Sequence, residues 1–207
     1  MKILFATNNP GKLLEVKSHL TGLSLEIIIP KDLETKFGSP PDPEETSETY
    51  EGNSLIKARQ FYEWCGIPVF ADDSGIEVEI LNGGPGVHSS RFAAPDPSHK
   101  KHRDKMIAAL KAARQEYSLA RYCSTICLFG IEQKPIFFTA TLEGKIIDQE
   151  KGEGGFGYDK IFVPAGYDLT SAELKEDNKQ PKTHRIKALE QMFDFFKNHP
   201  NYADLLM

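Results

Sequence analysis

Val69-Phe70-Ala71-Asp72-Asp73-Ser74-Gly75 reads as an apolar strand that runs into two adjacent carboxylates, a hydroxyl and a glycine. A second strand-like run, Ile76 to Leu81, follows, and then a turn at Asn82-Gly83-Gly84-Pro85-Gly86. Neighbouring acids at the end of a strand repel each other, and a fold tolerates them where a cation or a proton sits between them. Chemistry is therefore expected at this stretch, with the rest of the chain built around it.

Upstream, Lys2 to Thr7 predicts a strand and Asn8-Asn9-Pro10-Gly11-Lys12 a turn. Leu13 to Leu20 carries apolar residues at helical spacing, at 13, 16 and 20. Such a strand–turn–helix start presents backbone N–H groups to a phosphate, and Lys12 adds a point charge. It is not a Walker A loop, because Gly-x4-Gly-Lys-Ser/Thr is missing. Leu25 to Ile29 predicts a second strand ended by Pro30, and the proline- and acid-rich stretch Ser39 to Glu48 a loop. A helix from Glu48 to Cys65 follows, with Leu55, Ala58, Tyr62 and Cys65 as its apolar stripe.

Downstream, Asp104 to Gln115 predicts a helix, and Tyr122 to Phe129 with Ile136 to Leu142 an antiparallel pair that Lys145 to Asp148 extends. Glu153 to Asp159 reads as a loop, Lys160 to Val163 as a short strand and Leu169 to Asp177 as a short helix. The last helix, Thr183 to Lys197, spaces Ile186, Leu189, Phe193 and Phe196 three or four apart. Strands and helices alternate early and hairpins follow, so the expected fold class is α/β with a mixed sheet.

The 207 residues fit one domain, or one domain in two lobes. Hydrophobic residues make up 40% and charged residues 27%, and no run of 18 apolar residues suggests a membrane span. A formal net charge of −5 argues against a nucleic-acid partner. Three cysteines, two of them at Cys123 and Cys127 on a predicted strand, read as core packing in a reducing compartment rather than as half of a zinc site.

Several side chains outside the opening stretch have the right types for chemistry. Glu44-Glu45 and Asp72-Asp73 offer hard oxygen donors, and Mg2+ needs only one or two carboxylates when substrate phosphates supply the rest. Lys57 follows the acidic loop, and on its own it reads as an ordinary surface lysine. Phe156, between two glycines and followed by Tyr158 and Asp159, is either a turn filler or a platform for a flat ring. Lys179, Lys182, His184 and Arg185 form either a solvated basic helix start or a set of donors. His99 and His102 fall in a basic loop without acidic partners.

Taken in order, Thr7-Asn8-Asn9-Pro10-Gly11-Lys12, Ala71-Asp72-Asp73-Ser74-Gly75, Gly83-Gly84-Pro85-Gly86-Val87, Gly155-Phe156-Gly157-Tyr158-Asp159 and Thr183-His184-Arg185-Ile186-Lys187-Ala188-Leu189 form one pattern. The chain resembles the inosine triphosphate pyrophosphatase family, also called Ham1-like or RdgB-like, over nearly its whole length. The resemblance implies a single domain over residues 1–207 with a long mixed β-sheet flanked by helices, in two lobes with a cleft between them. It implies hydrolysis of ITP, dITP and XTP, purine nucleoside triphosphates, to the monophosphate and pyrophosphate, with Mg2+, by a cytoplasmic homodimer. Carried over by position, Thr7, Asn8, Asn9, Pro10, Gly11 and Lys12 hold phosphate, and Glu45 and Asp73 bind Mg2+. Asp73 also accepts a proton, Lys57 contacts phosphate and Ser74 contacts substrate. Phe156, Gly157, Tyr158, Asp159, Lys179, His184 and Arg185 form the nucleoside pocket. The chain departs from the usual pattern at Thr183, where serine is usual, at Lys160, where proline is common, and at Gln180-Pro181. A nucleotide sensor with little chemistry, or a hydrolase of other nucleotides, are the alternative readings.

Overall fold

A computed structural model of the chain describes residues 2–19, 25–95 and 98–199. The predicted end of the first helix at Leu20 lies outside the described residues. Strands β1 (Lys2–Phe5), β2 (Glu26–Ile28), β3 (Val69–Val78), β4 (Pro85–Gly86), β5 (Tyr117–Phe129), β6 (Ile136–Ile147) and β7 (Phe162–Pro164) form one mixed sheet. Its order is β2-β1-β3-β5-β6-β7, and β4 pairs with β3. The helices are α1 (Pro10–Ser18), α2 (Pro30–Phe37), α3 (Tyr50–Cys65), α4 (His99–Ala112), α5 (Ser171–Glu176) and α6 (His184–Asn198). The expected α/β class with a mixed sheet is therefore observed.

Contacts divide the described chain into two compact units. The first holds the residues up to Asp73, Ser124–Ala140 and those from Arg185 onward; the second holds Ser74–Cys123 and Thr141–His184.

In the first unit β1 pairs in parallel with β2 and with β3, placing Phe5 opposite Phe70. Their rings stack with centroids 4.5 Å apart. Side chains alternate across a strand, so the sheet carries two different cores. On one face, Ile3, Phe5, Phe70, Ile126 and Leu128 pack under Ile186, Leu189, Phe193 and Phe196 of α6. On the other, Leu4, Val69, Ala71 and Cys127 pack under Ala58, Phe61 and Cys65 of α3. In the second unit Met106 and Leu110 of α4 pack on Ile76, Val78, Ala120, Leu142 and Ile146.

Several elements differ from their sequence reading. Pro30 starts α2 rather than only ending a strand, because proline suits the first helical turn and Asp32 Oδ2 accepts the Ile29 N–H at 3.0 Å. Residues 99–103 are helical, not a loop: Ser98 caps α4, its Oγ accepting the Lys101 N–H at 3.3 Å. β3 runs unbroken through Asp72-Asp73-Ser74-Gly75, and the expected second strand ends early in a 3-10 turn at Glu79–Leu81. β5 starts earlier than expected, at Tyr117, while β6 runs on from Ile136 to Ile147 as the expected extension of that strand.

Gly75 is required by close approach rather than by a turn. β4 crosses it so tightly that a Cβ there would lie 2.1 Å from the Gly86 carbonyl oxygen and 2.6 Å from Ser89 Oγ. All three cysteines are buried free thiols. Burial pushes the Cys123 and Cys127 thiols up to about 12.

Two outcomes follow. Gly75→Ala must push β4 aside and is expected to lower stability by about 3 kcal/mol in urea denaturation; a wild-type midpoint would show that β4 yields freely. A thiol reagent at pH 8 is expected to leave Cys123 and Cys127 unmodified until denaturant is added, read by intact mass.

Candidate active site

Because β1 and β3 run in parallel with Phe5 beside Phe70, the end of β1 lies next to the stretch of β3 that leads into Asp72 and Asp73. From the end of β1 the chain turns into α1. Asn9 caps that helix, its Oδ1 accepting from Gly11 N–H at 2.9 Å and Lys12 N–H at 3.2 Å. Asn9 N–H in turn donates to Thr7 Oγ1 at 3.1 Å. The N–H groups expected to face a phosphate are thus already engaged within the turn. The turn adds the charge of Lys12, with Asn8, Asn9 and Pro10 exposed around it.

The strand alternation that separates the two cores also separates the two acids. Asp72 points to the side of α1 and α6. Lys12 Nζ lies 3.1 Å from its Oδ1, and Arg185 Nε donates to its Oδ2 at 2.9 Å. Arg185 Nη1 also donates to Glu15 Oε2 on α1. Only 1% of the Asp72 side chain and 3% of the Arg185 side chain are exposed. Burial alone would raise the Asp72 carboxyl, but Lys12 and Arg185 outweigh it and hold Asp72 well below the usual carboxylate range. Burial lowers the Lys12 ammonium, Asp72 opposes that, and repulsion from Arg185 and Lys57 adds to the lowering.

Asp73 points to the side of α3. Lys57 Nζ donates to Asp73 Oδ1 at 3.1 Å and to Glu45 Oε1 at 2.7 Å, and Asn53 Nδ2 donates to Asp73 Oδ2 at 3.3 Å. Burial raises the Asp73 carboxyl, and the nearby Glu45 adds to this against the pull of Lys57. Burial would lower Lys57, yet Asp73, Asp72 and Glu45 together raise it.

Glu45 and Asp73 therefore aim one oxygen each at the same positive charge. That donor chemistry fits a hard cation such as Mg2+, which takes one or two carboxylates beside water and phosphate oxygens. Among the described residues no cluster of three or more His, Cys, Asp or Glu side chains forms a metal cage.

In the second unit the glycine loop carries Phe156, which is 36% exposed. Asp159 braces the loop from inside: its Oδ2 accepts from Phe156 N–H at 2.8 Å and from Lys175 Nζ at 2.7 Å. Gly155, at φ +77°, leaves room for that carboxylate; a Cβ would lie 2.2 Å from Asp159 Oδ2. Lys175 Nζ is 5.4 Å from the Phe156 ring centre and the His99 ring 6.1 Å away. Tyr158 is buried, and its hydroxyl donates to the Ser89 carbonyl at 3.1 Å. The His184 ring stacks on Tyr122 at 4.8 Å. Exposed Lys179 pairs with its neighbour Asp177 at 3.0 Å. Ser74, half-buried, follows Asp73 on β3.

Of the residues picked from the sequence, the first unit brings Lys12 and Arg185 together at Asp72, and Glu45 and Lys57 together at Asp73. The second groups Phe156, Gly157 and Asp159 on one loop. Three contributors were missed. Asn53 lies four residues before Lys57 on α3, and Glu15 three after Lys12 on α1, spacings that share a helix face and offered a signal. Lys175 offered none, since only the fold brings it to Asp159.

Known proteins are similar to this chain over almost its full length. The Ham1 family profile matches residues 3–195. A Flavobacterium psychrophilum protein named dITP/XTP pyrophosphatase is 39% identical over 198 residues, covering 96% of this chain and 100% of that one. A Haemophilus influenzae protein of the same name is 39% identical over 190 residues, covering 91% and 95%. The structure of a HAM1 protein from Coxiella burnetii superposes with a TM-score of 0.82 at 34% identity, covering 93% of this chain and 96% of that one.

Removing the guanidinium would leave Asp72 and Glu15 short of a buried partner. Arg185→Ala is expected to cost about 3–5 kcal/mol in chemical denaturation; a loss within the range of an ordinary surface change would mean that Lys12 alone satisfies Asp72.

Proposed function

The chain belongs to the Ham1 family, and we propose that it is a Mg2+-dependent pyrophosphatase that hydrolyses ITP, dITP and XTP to the monophosphate and pyrophosphate. The observation that carries this reading is the convergence of Glu45 and Asp73 on the single charge of Lys57. The names of the relatives support the substrate class.

In this reading Glu45 and Asp73 hold the ion. An ion held there would supply positive charge against the negative charge that builds on the triphosphate as pyrophosphate leaves. Asp73 accepts the proton of the water that attacks the α-phosphorus. Asp72, held by Lys12 and Arg185, is a poor base by comparison. Lys12 and Lys57 carry positive charge to the phosphates, and the turn Thr7 to Gly11 shapes the backbone around them. Ser74 offers a hydroxyl to the substrate.

Phe156 supplies a ring for the base, a contact worth about 1–3 kcal/mol that selects flat ligands without reading their edges. Gly157, Tyr158 and Asp159 keep that ring in place. His184 reads the base edge, and Lys179 contributes a donor. Hypoxanthine and xanthine present a 6-oxo acceptor where adenine presents a donor, so a donor there separates ITP from ATP by about 10⁴-fold. Arg185 serves this recognition through Asp72 and Glu15, since its Nε and Nη1 are committed to them.

A homodimer is part of the same reading. More than half-exposed Tyr117 and Leu119 on β5 offer it an apolar surface. The three free thiols suit the reducing cytoplasm. Among the described residues no helix is long and apolar enough to cross a membrane.

The test is pyrophosphate release from ITP, XTP, GTP, ATP and dUTP with and without Mg2+. ITP and XTP are expected to be cleaved far faster than ATP, and only with the metal; equal rates for ATP and ITP sink the proposal. Asp73→Asn is expected to lower kcat by about 10²–10⁴-fold. The metal-free variant is expected to keep or exceed the wild-type Tm, because burial and Glu45 both oppose the Asp73 charge. Substantial remaining turnover would remove Asp73 as the base.

A further inference from the structure

Arg103 lies one turn into α4, and only 10% of its side chain is exposed. Its Nε donates to Glu150 Oε1 at 2.9 Å and its Nη2 to Glu150 Oε2 at 3.4 Å, while its Nη1 donates to the Gly157 carbonyl oxygen at 2.9 Å. Glu150 comes just after β6 and Gly157 directly after Phe156. One guanidinium thus ties the start and the crest of the glycine loop to a helix whose own position is set by Met106 and Leu110 in the core.

The loop needs such a tie. Gly152, Gly154, Gly155 and Gly157 give it more backbone freedom to lose than residues with side chains would at those positions. Its other braces come from within, from α5 and, through the Tyr158 hydroxyl, from the Ser89 carbonyl, with the His99 and His102 rings of α4 beside Phe156 and Tyr158. Asp159 holds the Phe156 N–H, Lys160 pairs with Glu153, and Glu176 accepts the Gly154 N–H at 3.1 Å. Among the described contacts, the Gly157 carbonyl is held to α4 by Arg103 alone. A planar guanidinium fork reaches a carboxylate and a carbonyl together, which a lysine ammonium on a flexible stem does not reproduce.

We propose that Arg103 is a positioning residue for base recognition: it holds the Gly155–Asp159 loop in the conformation that presents Phe156, and so sets KM rather than kcat. The proposal rests on the reading of Phe156 as the platform for the base. Physically, Arg103 orders the loop before the ligand arrives, so binding need not supply the ordering free energy.

The experiment compares the full-length wild type with Arg103→Met and Arg103→Lys, by steady-state kinetics on ITP and by amide hydrogen exchange. Arg103→Met is expected to raise KM about tenfold, the factor that corresponds to about 1.4 kcal/mol, at wild-type kcat. Exchange over residues 152–158 is expected to quicken by roughly the same factor while the β1 and β3 amides keep their protection. Arg103→Lys is expected to recover less than half of either change; should Arg103→Met fail to fold, the lysine variant carries the same two expectations. Unchanged KM and unchanged exchange overturn the proposal. So does a parallel loss of kcat and Tm at unchanged KM, which marks a purely structural role. If the wild type cleaves none of the triphosphates, the functional reading fails by itself, and the exchange comparison decides whether Arg103 holds the loop.

Discussion

Asp72 and Asp73 are consecutive, both are buried, and an ionised carboxylate inside a protein must meet charge or hydrogen-bond donors of its own. β3 meets this demand through its pleat. Successive side chains leave a strand on opposite faces, so Asp72 follows Phe70 toward α6 while Asp73 follows Ala71 toward α3. Each acid then finds separate partners: Lys12 and Arg185 for the first, Lys57 and Asn53 for the second. Repulsion between neighbours is thus relieved by geometry before any cation is added. The elements that pack on the two faces, α1 and α6 on one and α3 on the other, are the ones that supply the compensating groups.

The partners differ in charge, two cations for Asp72 against one shared cation and a neutral amide for Asp73, and that difference separates the two acids chemically. Asp72 sits between two cations and stays charged. Asp73 shares one ammonium with Glu45, which leaves it under-compensated and more ready to take a proton. A buried, under-compensated acid disfavours the folded state, and such positions gather where function requires them. Asp159 in the second unit is the contrasting case, since its carboxylate is consumed in bracing the loop that carries Phe156.

Much of this was legible in the sequence. The 3–4 spacing of Ile186, Leu189, Phe193 and Phe196 announced α6, and the apolar run before Asp72 announced β3. Asn9-Pro10 marked the start of α1. Where the reading failed, local signals competed with tertiary ones. Gly75 looked like the end of a strand, yet it is there because β4 passes too close for a side chain. Pro30 looked like a stop and is a start. The histidines at 99 and 102 looked like loop residues because the charged residues around them hid the helical period of α4.

The sequence by itself determined the class of fold, the strand carrying the paired acids, the turn before α1, and the residue types that meet there, because periodicity and local chemistry are written into neighbouring positions. Only the tertiary structure decided which acid is held and which is under-compensated. It also showed that Arg185 grips Asp72 and Glu15, and that Arg103 and Lys175 belong to the aromatic loop. These are contacts between residues up to 170 positions apart. Charge compensation depends on distance in space and on burial, neither of which leaves a mark on the spacing of residues along the chain.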